Sequence, residues 1–356
     1  MKYIYPALLL LFMASCQKNT EIDPSKADWE SFKLKGNVAA VTEKSYEIVN
    51  GQKGALKRDG EHDYDLQFNE EGKLILEKKW LKDQPYEETK YNGQKQPLSS
   101  IQYMMGQPVI KTEYQWDKTG KQRLEMVKRN PDNSQLSREQ KKYKANDTIV
   151  IEKNLYDLQN ILTDKTTYDY DQKKNLVKEN KFLRQETVQY ITSYEYDDKK
   201  RKTVESSYNA AGDLIYKTIF GYEGNKLASK ETINGKDNTS ETVDKYIYDA
   251  KGNLVKEYNF NNIDKIETLD EYTYDANNNQ TSRVYTKGGN MIAKVLQTYD
   301  AKNNLTSSKV MDNEGKVLDD KSYAYTYDEK GNWTKKTISK GGVPVFVVER
   351  TVTYLD

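Results

Sequence analysis

Tyr246-Ile-Tyr-Asp-Ala-Lys-Gly-Asn-Leu-Val-Lys-Glu257 is the stretch on which the fold turns. Versions of it recur at Tyr272-Thr-Tyr-Asp275, Thr298-Tyr-Asp-Ala-Lys-Asn-Asn-Leu305 and Tyr325-Thr-Tyr-Asp-Glu-Lys-Gly-Asn-Trp333. A phrase repeated at fixed spacing marks an array. The aromatic before the turn falls at Phe68, Tyr91, Trp116, Tyr143, Tyr170, Tyr196, Tyr222, Tyr248, Tyr274, Tyr299 and Tyr327, a period close to 26 residues. Midway between these markers lies a second set of turns, such as Gly106-Gln-Pro108, Asn209-Ala-Ala-Gly212 and Gly288-Gly-Asn290. Each unit is therefore two strands and two turns.

The turn residues have distinct jobs. Asp249 opens a type I turn by accepting backbone hydrogen bonds, and Gly252 supplies the positive φ of a G1 bulge. The pairs Asp275/Asn278, Asp300/Asn303 and Asp328/Gly331 repeat the device, with Asn standing in for Gly where it must. Lys174 and Lys200 fill that slot in the middle units, which predicts weaker or differently shaped turns there. Between turns, tyrosines alternate with small or charged residues, as in Tyr194-Glu-Tyr196, so they share one face of a strand. The expected fold is all-β: a repetitive antiparallel meander of about twenty strands, about 95 Å of ribbon at ~4.8 Å per strand. So long an open sheet curls, giving a twisted sheet or a partly closed β-spiral with the tyrosines inside the curve. Val343–Tyr354 and Val38–Tyr46 are expected to cap the two ends.

Composition agrees with an aromatic β-fold rather than an aliphatic core. The 356 residues are 36% hydrophobic and 31% charged, with 29 Tyr against 7 Phe. Disordered chains are poor in aromatics, so high polarity alone does not imply disorder here. The start, Met1-Lys-Tyr-Ile-Tyr-Pro-Ala-Leu-Leu-Leu-Leu-Phe-Met-Ala-Ser-Cys16, has one positive charge, a short apolar run and small residues, as a secretory signal does. Met13-Ala-Ser-Cys16 resembles the lipobox of bacterial lipoproteins, which implies cleavage before Cys16 and a covalent lipid on that residue. Cys16 is the only cysteine. Three segments are expected: a signal peptide at 1–15, a lipid-anchored tether at 16–31, and a single repeat array at 32–356. Losing Lys2 with the signal leaves 55 basic and 55 acidic side chains, so no basic excess exists to neutralise nucleic acid.

The Tyr-Asp-x-x-Gly-Asn-Leu phrase resembles the YD repeat, also called the RHS repeat, from about Phe68 to Trp333. With the lipobox, the entry Leu34-Lys-Gly-Asn-Val38 and the exit Gly331-Asn-Trp-Thr334, the chain is similar to uncharacterised repeat lipoproteins of the Bacteroidota. The resemblance implies a curved β-sheet shell, linked in some members to carbohydrate binding and in others to enclosing a toxin. The toxin version has a self-cleavage segment and a distinct C-terminal effector, and neither is found here. An outer-membrane attachment, on the periplasmic or the cell-surface side, follows from the same resemblance.

No catalytic constellation emerges. His62 is the single histidine, so the usual His/Cys zinc sites cannot be assembled; a Ser-His-Asp triad would have to use it, and no Gly-x-Ser-x-Gly elbow is present. Asp275-Ala-Asn-Asn-Asn279 and Asp312-Asn-Glu-Gly315 place oxygens in tight turns, but the alternating calcium-loop pattern with its distal Glu is absent, so turn capping explains them. No cofactor other than the lipid is expected. Exposed tyrosines in a curved groove can stack on sugar rings or anchor a protein. Tyr246, Tyr248, Tyr272 and Tyr274, from adjacent regular units, are the candidate ligand contacts. The expectation is a non-enzymatic, lipid-anchored envelope protein whose sheet binds or scaffolds an envelope protein or a polysaccharide. A carbohydrate-binding lipoprotein is the alternative; a glycan-active enzyme or a toxin-shell fragment ranks lower.

Overall fold

The computed structural model describes residues 27–57, 61–184 and 187–355. The signal peptide, Cys16 and most of the expected tether lie outside the described residues. The described residues form 25 strands and one short 3-10 turn, Trp29–Phe32. Strands are numbered in chain order, beginning with β1 (Val38–Val49), β2 (Gln52–Leu56), β3 (Asp63–Phe68) and β4 (Leu74–Leu81). The chain then runs as an unbroken meander to β24 (Trp333–Lys340) and β25 (Val343–Tyr354). The eleven markers each end one strand and precede another, which accounts for 22 of the 25 strands and exceeds the expected twenty.

The sheet closes. β1 pairs antiparallel with β25 from Val38↔Tyr354 to Glu47↔Phe346, and with β3 through Ala40↔Gln67 to Thr42↔Asp65. β2 pairs only with the upper part of β1, so the ring itself is a closed barrel of 24 strands. This corrects the expectation of an open or partly closed sheet, and the two end strands expected as caps are instead each other's partners. The pairing register explains the curvature. Tyr194↔Glu205↔Thr218 starts two residues before its marker Tyr196 and ends four before Tyr222. Tyr246↔Glu257↔Asp270 makes the same two-residue step. A two-residue rise over two strand spacings tilts the strands by about 35°, and 24 strands at that tilt close at a diameter of roughly 45 Å.

The closing contact is itself a marker turn, split between the chain ends. In an intact turn, Asp249 N–H donates to Asn253 O at 2.9 Å, Gly252 has φ +94°, and Tyr248 pairs with Leu254 across a one-residue bulge. At the seam, Leu355 N–H donates to Asn37 O at 2.8 Å, Gly36 has φ +79°, and Tyr354 pairs with Val38 across the same bulge. Tyr354-Leu355 supplies the first half of the phrase and Gly36-Asn37-Val38 the second. Asn332 holds the halves together: its Oδ1 accepts from Lys35 N–H and its Nδ2 donates to Lys35 O, each at 2.8 Å.

Around this seam sits the main apolar cluster of the described residues. Trp29, Leu34, Val38, Val41, Leu66, Phe68 and Leu74 are buried in one cluster. Trp29 donates Nε1–H to Val38 O at 2.9 Å and meets Phe68 edge-on. Ala27 is buried in the same cluster, and Phe32 packs against it. Elsewhere the sheet is a single layer whose side chains are mostly half-buried or exposed on both faces. The middle turns also differ from expectation. Lys174 (φ +65°) and Lys200 (φ +61°) adopt the same left-handed conformation as the glycines, and their N–H groups close the same bond to Asp171 O and Asp197 O. The bulge geometry selects the backbone, and Lys accepts the strain.

Candidate functional site

Register places every marker aromatic on one face, and that face is the concave one. A cleft of about 1560 Å³ opens at the mouth formed by the marker turns. It is lined by Val41, Glu43, Tyr64, Leu66, Glu77, Tyr327, Trp333, Lys336 and Arg350, all on the marker face, and by turn residues as distant as Asn279. Only the inside of the ring can bring those strands to one space. The opposite face carries exposed charged residues: Lys90, Glu113, Lys142, Asp169, Glu195 and Lys245 alternate with the inward tyrosines, with Ile219, Ile247 and Leu296 exposed among them.

Most marker tyrosines spend their hydroxyls on the sheet. Tyr143, Tyr170, Tyr196 and Tyr222 donate to the carbonyls of Arg123, Val150, Leu176 and Lys202 at 2.7 to 2.9 Å, each reaching to the first strand residue after the preceding marker turn. Tyr274 does the same to Leu254 O at 2.8 Å. These rungs tie one unit to the next, each a net gain of about 1 kcal/mol. Of the four candidate contacts, Tyr274 is thus a rung, and Tyr248 lies under the Lys226 ammonium, 4.5 Å from the ring centroid. Tyr246 and Tyr272 stand deeper in the lumen. Tyr272 reaches Glu257 at 3.4 Å, and burial, followed by Asp244 and Glu257, raises the pKa of Tyr246 above the usual phenol range. Register sets Tyr246 opposite Glu257 and Tyr272 opposite Arg283, which pairs with Asp270 at 2.6 Å.

The turn residues singled out from sequence form a collar around this mouth. Asp249 Oδ1 accepts from Asn253 N–H at 2.8 Å, and Asp275 and Asp300 accept from Asn279 and Asn304 in the same way. Side-chain hydrogen bonds from Asn253 and Asn279, aided by turn amides, hold Asp249 and Asp275 below the usual carboxylate range. Asn279 Nδ2 donates on to Asn303 Oδ1 at 2.9 Å, and Asn253 Nδ2 to Asn278 Oδ1 at 3.1 Å, so neighbouring turns are stitched sideways. Asp328 accepts from Asn332 N–H, and Gly331, at φ +86°, closes its turn. The carboxylates serve the turns. Among the described residues no three His, Cys, Asp or Glu side chains converge as a metal site would require.

The seam side of the cleft was not legible in the sequence. Arg350 forms a largely buried ion pair with Glu43 across β1 and β25, Nε to Oε1 at 2.9 Å, and its guanidinium lies 3.4 Å from the Trp333 ring centroid. Tyr325 meets Trp333 edge-on at 6.3 Å and donates to Leu305 O at 3.1 Å. Tyr327 donates to Asp300 Oδ2 at 2.7 Å. Burial, with neighbouring phenols for Tyr325 and the Asp300 hydrogen bond for Tyr327, pushes both up to about 12. His62 is half-buried, its ring 4.3 Å from Tyr86, and lines the same cleft. The residues come from chain positions some 300 apart, so no local spacing signals them. The site offers aromatic edges, neutral phenols and paired charges.

No protein-family model matches the sequence, and no curated protein matches it. Among solved structures, the chain is similar to one described as TcdB2-TccC3-TEV, with a TM-score of 0.39 and 12% identity over 80% of this chain. It spans only 18% of the length of that chain. It is also similar to a porin-like protein from Bacteroides uniformis (TM-score 0.24, 10% identity, 90% of this chain and 99% of that one). A porin-like protein from Bacteroides vulgatus gives a TM-score of 0.20 at 9% identity, over 89% and 98% of the two chains. All of these TM-scores lie below 0.5, and the reading of this chain rests on its own residues.

Proposed function

We propose that this is a non-enzymatic, lipid-anchored protein of the bacterial envelope that holds a polar ligand inside its barrel, with a polysaccharide chain as the favoured ligand. The observation that carries the reading is the inward tyrosine face of a closed, single-layer barrel. Closure turns the expected open groove into a lumen, so a ligand is surrounded rather than laid on a surface. Tyr246 and Tyr272, with Glu257, Asp244 and the Arg283–Asp270 pair beside them, offer the ring faces and acceptors that sugar rings and hydroxyls use.

A barrel that spans lipid needs an outward apolar band about 25 Å tall. Lys90, Glu113, Lys142, Asp169, Glu195 and Lys245 stand exposed on the outer wall here, so we place the barrel in water beside a membrane. Attachment then falls to the lipid expected at Cys16, and two or three acyl chains suffice for it.

The test is direct. Purified protein is titrated by calorimetry with envelope polysaccharides of its own source, comparing wild type with Tyr246→Ala and Tyr272→Ala. Binding lost in both variants, with thermal midpoints within a few degrees of wild type, is the expected result. Saccharide binding that survives both substitutions, or none at all across a broad glycan panel, would sink the glycan reading. Lipidation is checked separately by labelled palmitate, which should be incorporated by wild type and not by Cys16→Ala.

A further inference from the structure

The two mouths of the barrel are chemically different. The marker turns carry Asp, Asn, Gly and Lys, with nothing more apolar than Ala at their tips. The turns at the other mouth carry aliphatic side chains: Leu81 (38% exposed), Met105 (85%), Leu158 (59%), Ile263 (69%), Leu318 (58%) and Val343 (64%). Of all the large hydrophobic side chains exposed among the described residues, only Leu56, Leu98, Ile151, Ile219, Ile247 and Leu296 lie away from this rim. Nothing in the barrel requires such residues there, since turn chemistry favours polar ones. A crown of exposed apolar groups of this extent, interrupted by polar turns such as Asn130-Pro-Asp-Asn133 and Asn209-Ala-Ala-Gly212, marks an interaction surface.

We propose that the crown docks rim to rim on the crown of a second copy of this chain, joining two lumens into one longer compartment. Three observations select that partner. The crown is an annulus roughly 45 Å across, and the surface that matches an annulus around its whole circumference is another of the same width. Its exposed apolar area, on the order of 1,000 Å² per copy, exceeds the ~800 Å² per partner of a standard interface. Its charges come as adjacent opposites, Lys236 with Asp237 and Asp264 with Lys265, which a two-fold related copy can match and an anionic lipid surface cannot. At the other mouth the first described residues contact the marker turns: Asp28 N–H bonds to Gly72 O at 2.8 Å and Lys95 pairs with Asp28 at 3.1 Å.

The described residues close the barrel among themselves, so the chain from Gln17 onward keeps the whole fold and serves for the test. Sedimentation velocity at micromolar concentration should give twice the chain mass. The combined variant Met105→Lys, Ile263→Lys and Leu318→Lys should sediment as a monomer, with dissociation at least ~30-fold easier, and with unchanged circular dichroism and melting. Ala145→Lys with Ala276→Lys, at the opposite mouth, should leave the dimer intact. A wild-type chain that stays monomeric at about 100 µM overturns the proposal, as does a dimer that the triple variant does not weaken. A monomer that floats with phosphatidylglycerol vesicles through the same crown residues would make the occupant a membrane and equally refute a second copy.

Discussion

Replacing Thr42 and Thr351 by cysteine tests barrel closure at one point. The two residues are paired across the only junction in the ring that the chain does not cross locally. Paired residues in an antiparallel ladder have Cα atoms about 4.5 or 5.5 Å apart, and both values fall within the range a disulfide spans. The bridge closes a loop of about 310 residues, for which chain entropy sets a stabilisation of about 5–6 kcal/mol as an upper bound. With Cys16 removed, the two introduced thiols are the only ones, so oxidation gives a single product. The assay is twofold: mass spectrometry for an intramolecular disulfide, then urea unfolding with and without reductant. Quantitative bridging and a stabilisation of more than about 2 kcal/mol are expected. In an open curled sheet these residues would be tens of ångströms apart. Failure to form the intramolecular bridge, or a bridge that leaves the urea midpoint unmoved, would refute the seam.

Arg350→Met should cost about 3–5 kcal/mol, because it strands Glu43, which is 6% exposed, without its partner. Adding Glu43→Gln should recover more than half of that in urea melts, and an additive loss would contradict the pairing. Lys200→Gly should stabilise by roughly 0.5–1 kcal/mol by relieving the left-handed strain at φ +61°, whereas Gly252→Ala should destabilise by at least as much. Asp197, Asp249 and Asp275 have depressed pKa values, from side-chain hydrogen bonds by Arg201, Asn253 and Asn279 respectively. A carboxylate depressed in the folded state binds fewer protons there than when unfolded. Its contribution is therefore full above the unfolded value near 4 and is lost as pH falls through the lower folded value. Urea midpoints should be flat from about pH 7 to 5 and fall below about pH 4; a midpoint unchanged down to about pH 2.5 would contradict the carboxylate collar. Tyr274→Phe should lose about 1 kcal/mol with its bond to Leu254 O, a loss that unchanged melting would rule out.

Much of the architecture can be read from the chain because it is local. A strand's alternation, an Asp that accepts turn amides and a Gly or Asn that tolerates positive φ all act within a dozen residues. The period, the two sets of turns and the shared face of the tyrosines therefore follow from residues such as Tyr246, Tyr248, Asp249 and Gly252. Even the closing turn is written there, as Tyr354-Leu355 at one end and Gly36-Asn37 at the other, though each half alone is too short to be read as a turn.

Closure belongs to the tertiary structure. It depends on a two-residue register step repeated around the sheet, and the sum of those steps decides whether the last strand meets the first. No single residue encodes such a sum. The same holds for Glu43 with Arg350 and Trp333, which share a site only because the ring closes, and for the aliphatic turn residues, which are scattered in sequence and become a crown only when their strands stand side by side. Local turn chemistry built the units; their accumulated tilt, fixed at one seam by Trp29, Asn332 and the β1–β25 pairing, made them a barrel.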